Sequence, residues 1–202
     1  MTINFNEKYW EKHYQKRGAG DINQTPSPHL VANVAGLVPG TALDAGCGEG
    51  ADAIWLTQNG WQVTAVDISK TVIDRARSVA HEKGIEIDWK YEDFTTWVPP
   101  ENFFDLVTSQ YVHTTNNQKF YKKLANAVKT GGMLLIVGHQ PPALNEISPH
   151  AEGSHITAEE IAEHLNADQW KIEVAELRTS ERGSPNATAH TLHDSVLCAR
   201  KR

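Results

Sequence analysis

Cysteine is nearly absent from this chain: Cys47 and Cys198 are the only two in 202 residues. Two thiols exclude a disulfide-stapled scaffold and a cysteine-rich metal site. Long apolar runs are missing too. No stretch approaches the roughly 20 residues that span a bilayer, and the opening MTINFNEKYWEKHY lacks the apolar core of a secretion signal. The expected setting is therefore cytoplasmic, with no membrane partner. Basic charge is not in excess: 19 Lys and Arg stand against 25 Asp and Glu, a formal net charge of -6. Nucleic-acid binding needs a basic face to neutralise phosphate, so this balance argues against a nucleic-acid partner. What is present is an ordinary globular composition, 40% hydrophobic and 22% charged, in a length suited to one domain with a single core.

The chain is organised around Thr41–Gly50, TALDAGCGEG. Thr41-Ala42-Leu43 reads as the end of a buried strand, and Gly46, Gly48 and Gly50 as a turn into a helix beginning near Ala51. Glycine has no Cβ and tolerates positive φ, so such a turn lets backbone approach a ligand closely. Turns of this kind usually hold phosphate on the helix N-terminus. Asp44, two residues before the first glycine, would repel an anion and better suits a ligand with a cationic end. The run from Gly46 to Ala51 also fits the relaxed dinucleotide fingerprint, and a turn without a ligand is a third reading.

The remaining elements follow from periodicity and punctuation. Asn6–Arg17 reads as a short helix with an aromatic stripe at Tyr9, Trp10, His13 and Tyr14, and His29–Leu37 as a second. Ala51–Asn59 is the helix after the glycine turn, and Trp61–Val66 a strand ending on Asp67. About twenty residues past the first glycine, such an acid commonly accepts the hydroxyls of a ribose. As an exposed strand-end group, Asp67 is expected to carry no weight in stability. Ser69 caps a helix with Val72, Ile73, Ala76, Val79 and Ala80 on one face. Strands are expected at Ile85–Tyr91, Asn102–Ser109 and Met133–Val137, with a helix over Gln118–Lys129 closed by Lys129-Thr130-Gly131-Gly132. Asp105, at its strand's start and far from the carboxyl ends, reads as structural. Thr157-Ala-Glu-Glu160 is a capping box. Trp170–Arg178 and Leu192–Ala199, joined by a polar loop, should pair antiparallel with Val174 and Val196 in the core.

The pattern apolar-apolar-Asp44-Ala45-Gly46-Cys47-Gly48-Glu49-Gly50 resembles the first motif of the class I S-adenosylmethionine-dependent methyltransferases. GCGEGADAIWLTQNGWQVTAVDIS resembles the branch containing thiopurine and tellurite methyltransferases, and GGMLLIVGH is similar to the family's fifth strand. The resemblance implies an α/β fold: a seven-stranded, mostly parallel, doubly wound Rossmann-like sheet ending in an antiparallel β-hairpin. Within one domain it implies a helical cap (1–40), a cofactor-binding core (41–142), a flap (143–156) and a closing helix with the hairpin (157–202). It implies S-adenosylmethionine as cofactor and S-adenosylhomocysteine as product. Asp44, Ala45, Gly46, Cys47, Gly48 and Gly50 would then wrap the aminoacid-sulfonium end. Asp67 and Ile68 would meet the ribose, and Glu92, Asp93 and Phe94 the adenine, with Gln110 also on the cofactor. Trp10 and Tyr14 would form a lid, and Arg17 would pair the cofactor carboxylate.

On the acceptor side the candidates are Tyr111, His113 and His139, all just past strand ends, with His113 the first choice for a proton acceptor. His81 and His164 read as surface residues. No pair of histidines has a recognised ligand spacing, so no metal is expected. The acceptor is expected to be a small molecule bearing a sulfur, nitrogen or oxygen nucleophile, and the protein a monomer or homodimer. A non-catalytic S-adenosylmethionine sensor and an NAD-dependent oxidoreductase remain as alternatives.

Overall fold

The computed structural model describes residues 4–17, 25–114, 116–139, 157–182 and 190–202. Six helices are described: α1 (Glu7–Lys16), α2 (Pro28–Val34), α3 (Ala51–Gln58), α4 (Lys70–Glu82), α5 (Asn117–Ala127) and α6 (Ala158–Glu163). The strands are β1 (Thr41–Ala45), β2 (Gln62–Asp67), β3 (Asp88–Tyr91), β4 (Phe104–Gln110), β5 (Val128–His139), β6 (Trp170–Arg182) and β7 (His190–Lys201). They form one sheet of seven strands in the order β3-β2-β1-β4-β5-β7-β6. The first five are parallel, while β7 runs antiparallel to both β5 and β6. This is the expected seven-stranded sheet with its terminal hairpin at one edge.

Alternation along the strands splits the core in two. On β5, Leu134 and Ile136 join Leu43, Val107 and Leu197 against Phe120 and Leu124 of α5 and Ile161 of α6. Met133, Leu135 and Val137 join Ala42, Leu106, Val196 and Cys198 against Leu30 of α2, Leu56 of α3 and Ile73 of α4. Helices therefore cover both faces, and the carboxyl ends of β1, β2, β4 and β5 converge on one rim. That rim is where ligands bind in open α/β sheets.

Local chemistry accounts for the ends of the elements. Asn6, Ser69, Asn116 and Thr157 each accept a backbone N–H from the first turn of α1, α4, α5 and α6. The Thr157–Glu160 capping box is complete in both directions. Several boundaries differ from expectation: α2 ends at Val34 rather than Leu37, β3 begins at Asp88 rather than Ile85 and β4 at Phe104 rather than Asn102. Lys129–Gly132 lie within β5 rather than closing α5, because Val128 already pairs with Phe104 and the register then shifts past a left-handed Gly131. The hairpin strands extend to Arg182 and back from His190, and Val174 is partly buried beside a fully buried Val196. The flap expected at 143–156 lies outside the described residues.

Asp105 holds the opposite end of the sheet together. Its Oδ2 accepts from the Thr41 N–H at 2.9 Å and the Thr41 hydroxyl at 3.0 Å, and its Oδ1 pairs with Lys129. Burial alone would raise this carboxyl, but the Lys129 and Thr41 hydrogen bonds outweigh it and hold the group below its ordinary value. A depressed folded-state pKa gives stability that is present above the unfolded value and lost as pH falls through the folded one. Asp105→Ala should therefore cost ~1–3 kcal/mol at pH 7 in chemical denaturation. The gap to the parent should close below about pH 4.

Candidate functional site

The glycine turn is built by backbone geometry that only glycine accepts without strain. Gly46 and Gly50 both sit at φ +79°. A Cβ on Gly46 would overlap the Val112 side chain, and one on Gly50 would lie 2.6 Å from Trp89. The N–H groups of Gly46 and Cys47 donate to the Val66 carbonyl at 2.8 and 3.0 Å, which pulls the turn over the end of β2. Gly50 then caps α3.

Two carboxylates are buried around this turn. Asp67 is only 6% exposed, and accepts from the Gly48 N–H at 3.0 Å and the Ser69 N–H at 2.9 Å. Burial raises its pKa to about 6, against the lowering effect of those backbone bonds. It is thus a buried tie between the turn and the start of α4, not the exposed acid expected from sequence. Asp44 is 2% exposed, and its Oδ2 has no hydrogen-bond partner among the described residues. Burial first, then the nearby charges of Asp52 and Asp67, push its pKa well up. A pyrophosphate would meet repulsion here, whereas a cationic group would supply the charge that Asp44 lacks. Burial and the same acids also push up the Cys47 thiol, which keeps it protonated and unreactive.

Helix α1 roofs the turn. Glu11 accepts from the Ser69 hydroxyl at 2.7 Å and from both the N–H and the hydroxyl of Thr71. Arg75 donates to the carbonyls of Tyr14 and Arg17, the last turn of the same helix, at 2.8 Å each. So pinned, Trp10 and Tyr14 face the turn, and the Tyr14 hydroxyl lies 3.2 Å from where a Gly48 Cβ would stand. Burial, then the charges of Asp67, Cys47 and Glu49, raise the Tyr14 phenol and keep it neutral.

Across from the turn stand Tyr111, His113 and His139. Tyr111 adopts φ +56°, a left-handed conformation that costs a bulky residue ~1–3 kcal/mol. Its N–H donates to the Val137 carbonyl at 2.7 Å, and its hydroxyl donates to Asp194 Oδ2 at 3.0 Å. The Tyr111 and His139 rings are 4.6 Å apart. His113 stacks on Phe5 at 5.2 Å and on Trp10 at 6.2 Å, so the N-terminal aromatics reach across to the segment after β4.

Together these residues enclose a cleft of about 1350 Å³. That exceeds the ~300–1,000 Å³ typical for one drug-sized ligand, leaving room for a second small molecule. Of the residues expected from sequence, Trp10, Tyr14, Arg17, Asp44, Gly46, Cys47, Gly48, Asp67, Ile68, Asp93, Phe94, Gln110, Tyr111, His113 and His139 line the cleft. Three lie behind its wall. Ala45 is fully buried in the core, Gly50 backs onto Trp89, and Glu92 contributes its N–H to the Asp67 carbonyl. Phe5 and the 25–28 segment also line the cleft, as does Asp52, which accepts from the Ser27 N–H at 2.6 Å. Among the described residues no group of three or more His, Cys, Asp or Glu is placed to hold a metal ion. No described helix is long and apolar enough to cross a membrane.

Residues 42–132 match the family described as a methyltransferase domain. A ubiquinone biosynthesis O-methyltransferase of Coxiella burnetii is 32% identical over 94 residues, 46% of this chain and 40% of that protein. A 2-heptyl-1-hydroxyquinolin-4(1H)-one methyltransferase of Mycobacteroides abscessus is 23% identical, over 73% of this chain and 66% of its own length. The chain thus spans about half the length of the curated relatives it matches. Among solved structures, TehB from Haemophilus influenzae has a TM-score of 0.69 at 20% identity, covering 95% of this chain and 67% of its own. A protein studied for the conversion of a disulfide bond into a thioacetal group during echinomycin biosynthesis reaches 0.74 at 22% identity, covering 96% and 92%.

The two backbone donors on Asp67 make a specific expectation. Asp67→Ala should lower the stability of the ligand-free protein by ~1–3 kcal/mol, since both N–H groups lose their acceptor. Thermal unfolding without ligand checks this, and an unchanged melting temperature would mean the carboxylate ties nothing.

Proposed function

We propose that this chain is a class I S-adenosylmethionine-dependent methyltransferase that moves a methyl group from S-adenosylmethionine to a small-molecule nucleophile. The observation that carries this reading is the buried Asp44 carboxylate beside the glycine turn, whose Oδ2 has no hydrogen-bond partner among the described residues. An acid in that place suits a ligand with a cationic end and repels a dinucleotide's pyrophosphate.

When bound, S-adenosylmethionine supplies a methyl group made electrophilic by its sulfonium. Asp44 and the Gly46–Gly48 backbone would hold its cationic aminoacid end, with Arg17 placed for the carboxylate. Asp67 would accept from the ribose hydroxyls while keeping its two backbone donors. Asp93 and Phe94 would hold the adenine. Trp10 and Tyr14, fastened through Glu11 and Arg75, would exclude water from above. The protein's main work is alignment in a dry cleft, because in-line displacement depends chiefly on position. Tyr111, His113 and His139 would orient the acceptor and take up a proton where the acceptor has one to lose. Two named relatives, for ubiquinone biosynthesis and for a hydroxyquinolone, favour a small organic acceptor over a macromolecule.

S-adenosylhomocysteine at about a hundred times its Kd should stabilise the protein by ~2.7 kcal/mol, and NAD should not. A shift with NAD alone would overturn the reading. Asp44→Asn should act in two opposite directions. It should weaken S-adenosylmethionine binding, yet stabilise the ligand-free protein by ~1–3 kcal/mol at pH 8. A raised folded-state pKa contributes stability that is lost as pH rises, so the ligand-free gain should shrink toward pH 5. Calorimetry and thermal unfolding across that range read both effects.

A further inference from the structure

Asp194 lies in β7 with 0% exposure, cross-strand from His139 on β5. Three side chains from distant parts of the chain turn toward it. His29 of α2 brings Nε2 to 3.0 Å from Oδ2, and the Tyr111 hydroxyl reaches the same oxygen at 3.0 Å. His139 Nδ1 lies 3.7 Å from Oδ1. Tyr111 and His139 line the cleft, whereas Asp194 and His29 stand behind them. The order from core to cleft is therefore carboxylate, imidazole, acceptor space. The left-handed backbone of Tyr111 places its hydroxyl on this carboxylate, and its ring beside His139.

We infer that Asp194 is a positioning residue that holds His139 as the general base for a ring-borne hydroxyl, so that the acceptor is a phenol or hydroxy-heteroaromatic. The inference rests on the methyltransferase reading and names its acceptor. A carboxylate facing Nδ1 keeps the proton on that nitrogen and turns the Nε2 lone pair to the cleft. The separation is 3.7 Å in the ligand-free protein, and a charged His139 would draw it to hydrogen-bond length. In the step itself the acceptor oxygen bonds to the methyl carbon while the carbon–sulfur bond of the sulfonium donor breaks. The bonding pair stays on sulfur, which becomes neutral, and the hydroxyl proton goes to His139 Nε2. The new imidazolium faces Asp194. A phenol, ionising near pH ~10, needs this help at neutral pH, while a thiol near ~8.5 needs less. The rings of Phe5, Trp10 and His113 give the acceptor aromatic surfaces to stack on. Among the described residues, the ionisable groups around His139 are Asp194 on β7, Tyr111 and His113 after β4, and His29 behind Asp194.

The test pairs ring phenols with their thiol analogues, using the wild type, Asp194→Asn, His139→Gln and Tyr111→Phe. The wild type should methylate a phenol. In Asp194→Asn and His139→Gln, kcat on that phenol should fall at least ~100-fold at pH 7 with KM little changed, and recover as pH rises and the phenol ionises by itself. The loss on the paired thiol should be at least tenfold smaller. Equal losses on both acceptors would make Asp194 structural, and turnover of thiols but no phenol would overturn the acceptor class. A second readout needs no turnover: nitrogen-15 NMR of ligand-free wild type should show neutral His139 protonated on Nδ1. Protonation on Nε2 overturns the inference even if Asp194→Asn fails to fold. Failure to bind S-adenosylhomocysteine would instead defeat the methyltransferase reading, and the tautomer result separates the two.

Discussion

The site depends on one constraint: the carboxylate of Asp67 is buried at the end of β2, and the backbone is bent to reach it. Gly48 turns its N–H inward and Ser69 does the same from the start of α4, so one side chain sets the glycine turn and the next helix together. The same Ser69 hydroxyl donates to Glu11, which fastens α1 over the turn. Floor, wall and roof of the cleft thus meet within a few residues. Beside them Asp44 is buried without a full set of partners, so burial and its acidic neighbours both oppose its charge. A fold that keeps such a group sacrifices stability for a ligand that completes it.

The two sides of the cleft come from different parts of the topology. The turn and the acids belong to β1 and β2, whose parallel pairing puts their carboxyl ends on one rim. The groups proposed for the acceptor side follow β4 or lie on β5 and the antiparallel β7. Because β7 runs against β5, its early residue Asp194 returns to the same rim as His139. The closing hairpin therefore places a buried carboxylate behind the acceptor wall as well as completing the sheet.

Much of the fold was legible because its signals are local. The caps at Ser69 and Thr157, the Gly46–Gly50 turn and the alternation along β5 and β7 are each set within a few residues of chain. That the candidate cofactor residues gather around one cleft was legible for the same reason, since one turn and two strand ends bear most of them. Asp67 was placed correctly but its burial was not, because that depends on Gly48 and on α1 packing from elsewhere in the chain. Asp194 and His29 were missed: their contact joins residues 165 apart in sequence. A faint signal existed, an acid inside the apolar run LHDSVLCA, since a charge in a buried strand needs partners. His113 drew more weight than His139 from sequence because both follow strands, and only the sheet order shows which one faces a carboxylate.

The most direct test of the central claim, that buried acids at the glycine turn receive a cationic ligand, is proton release on binding. Titration calorimetry with S-adenosylmethionine at pH 6, repeated in buffers of different ionisation enthalpy, counts it. Asp67, with its pKa raised to about 6 in the ligand-free protein, and Asp44, pushed up by burial and the charges of Asp52 and Asp67, should both release protons as a cationic ligand favours their charged forms. The account predicts net release of protons, reduced in Asp44→Asn. Binding with no release, or with uptake, would contradict it.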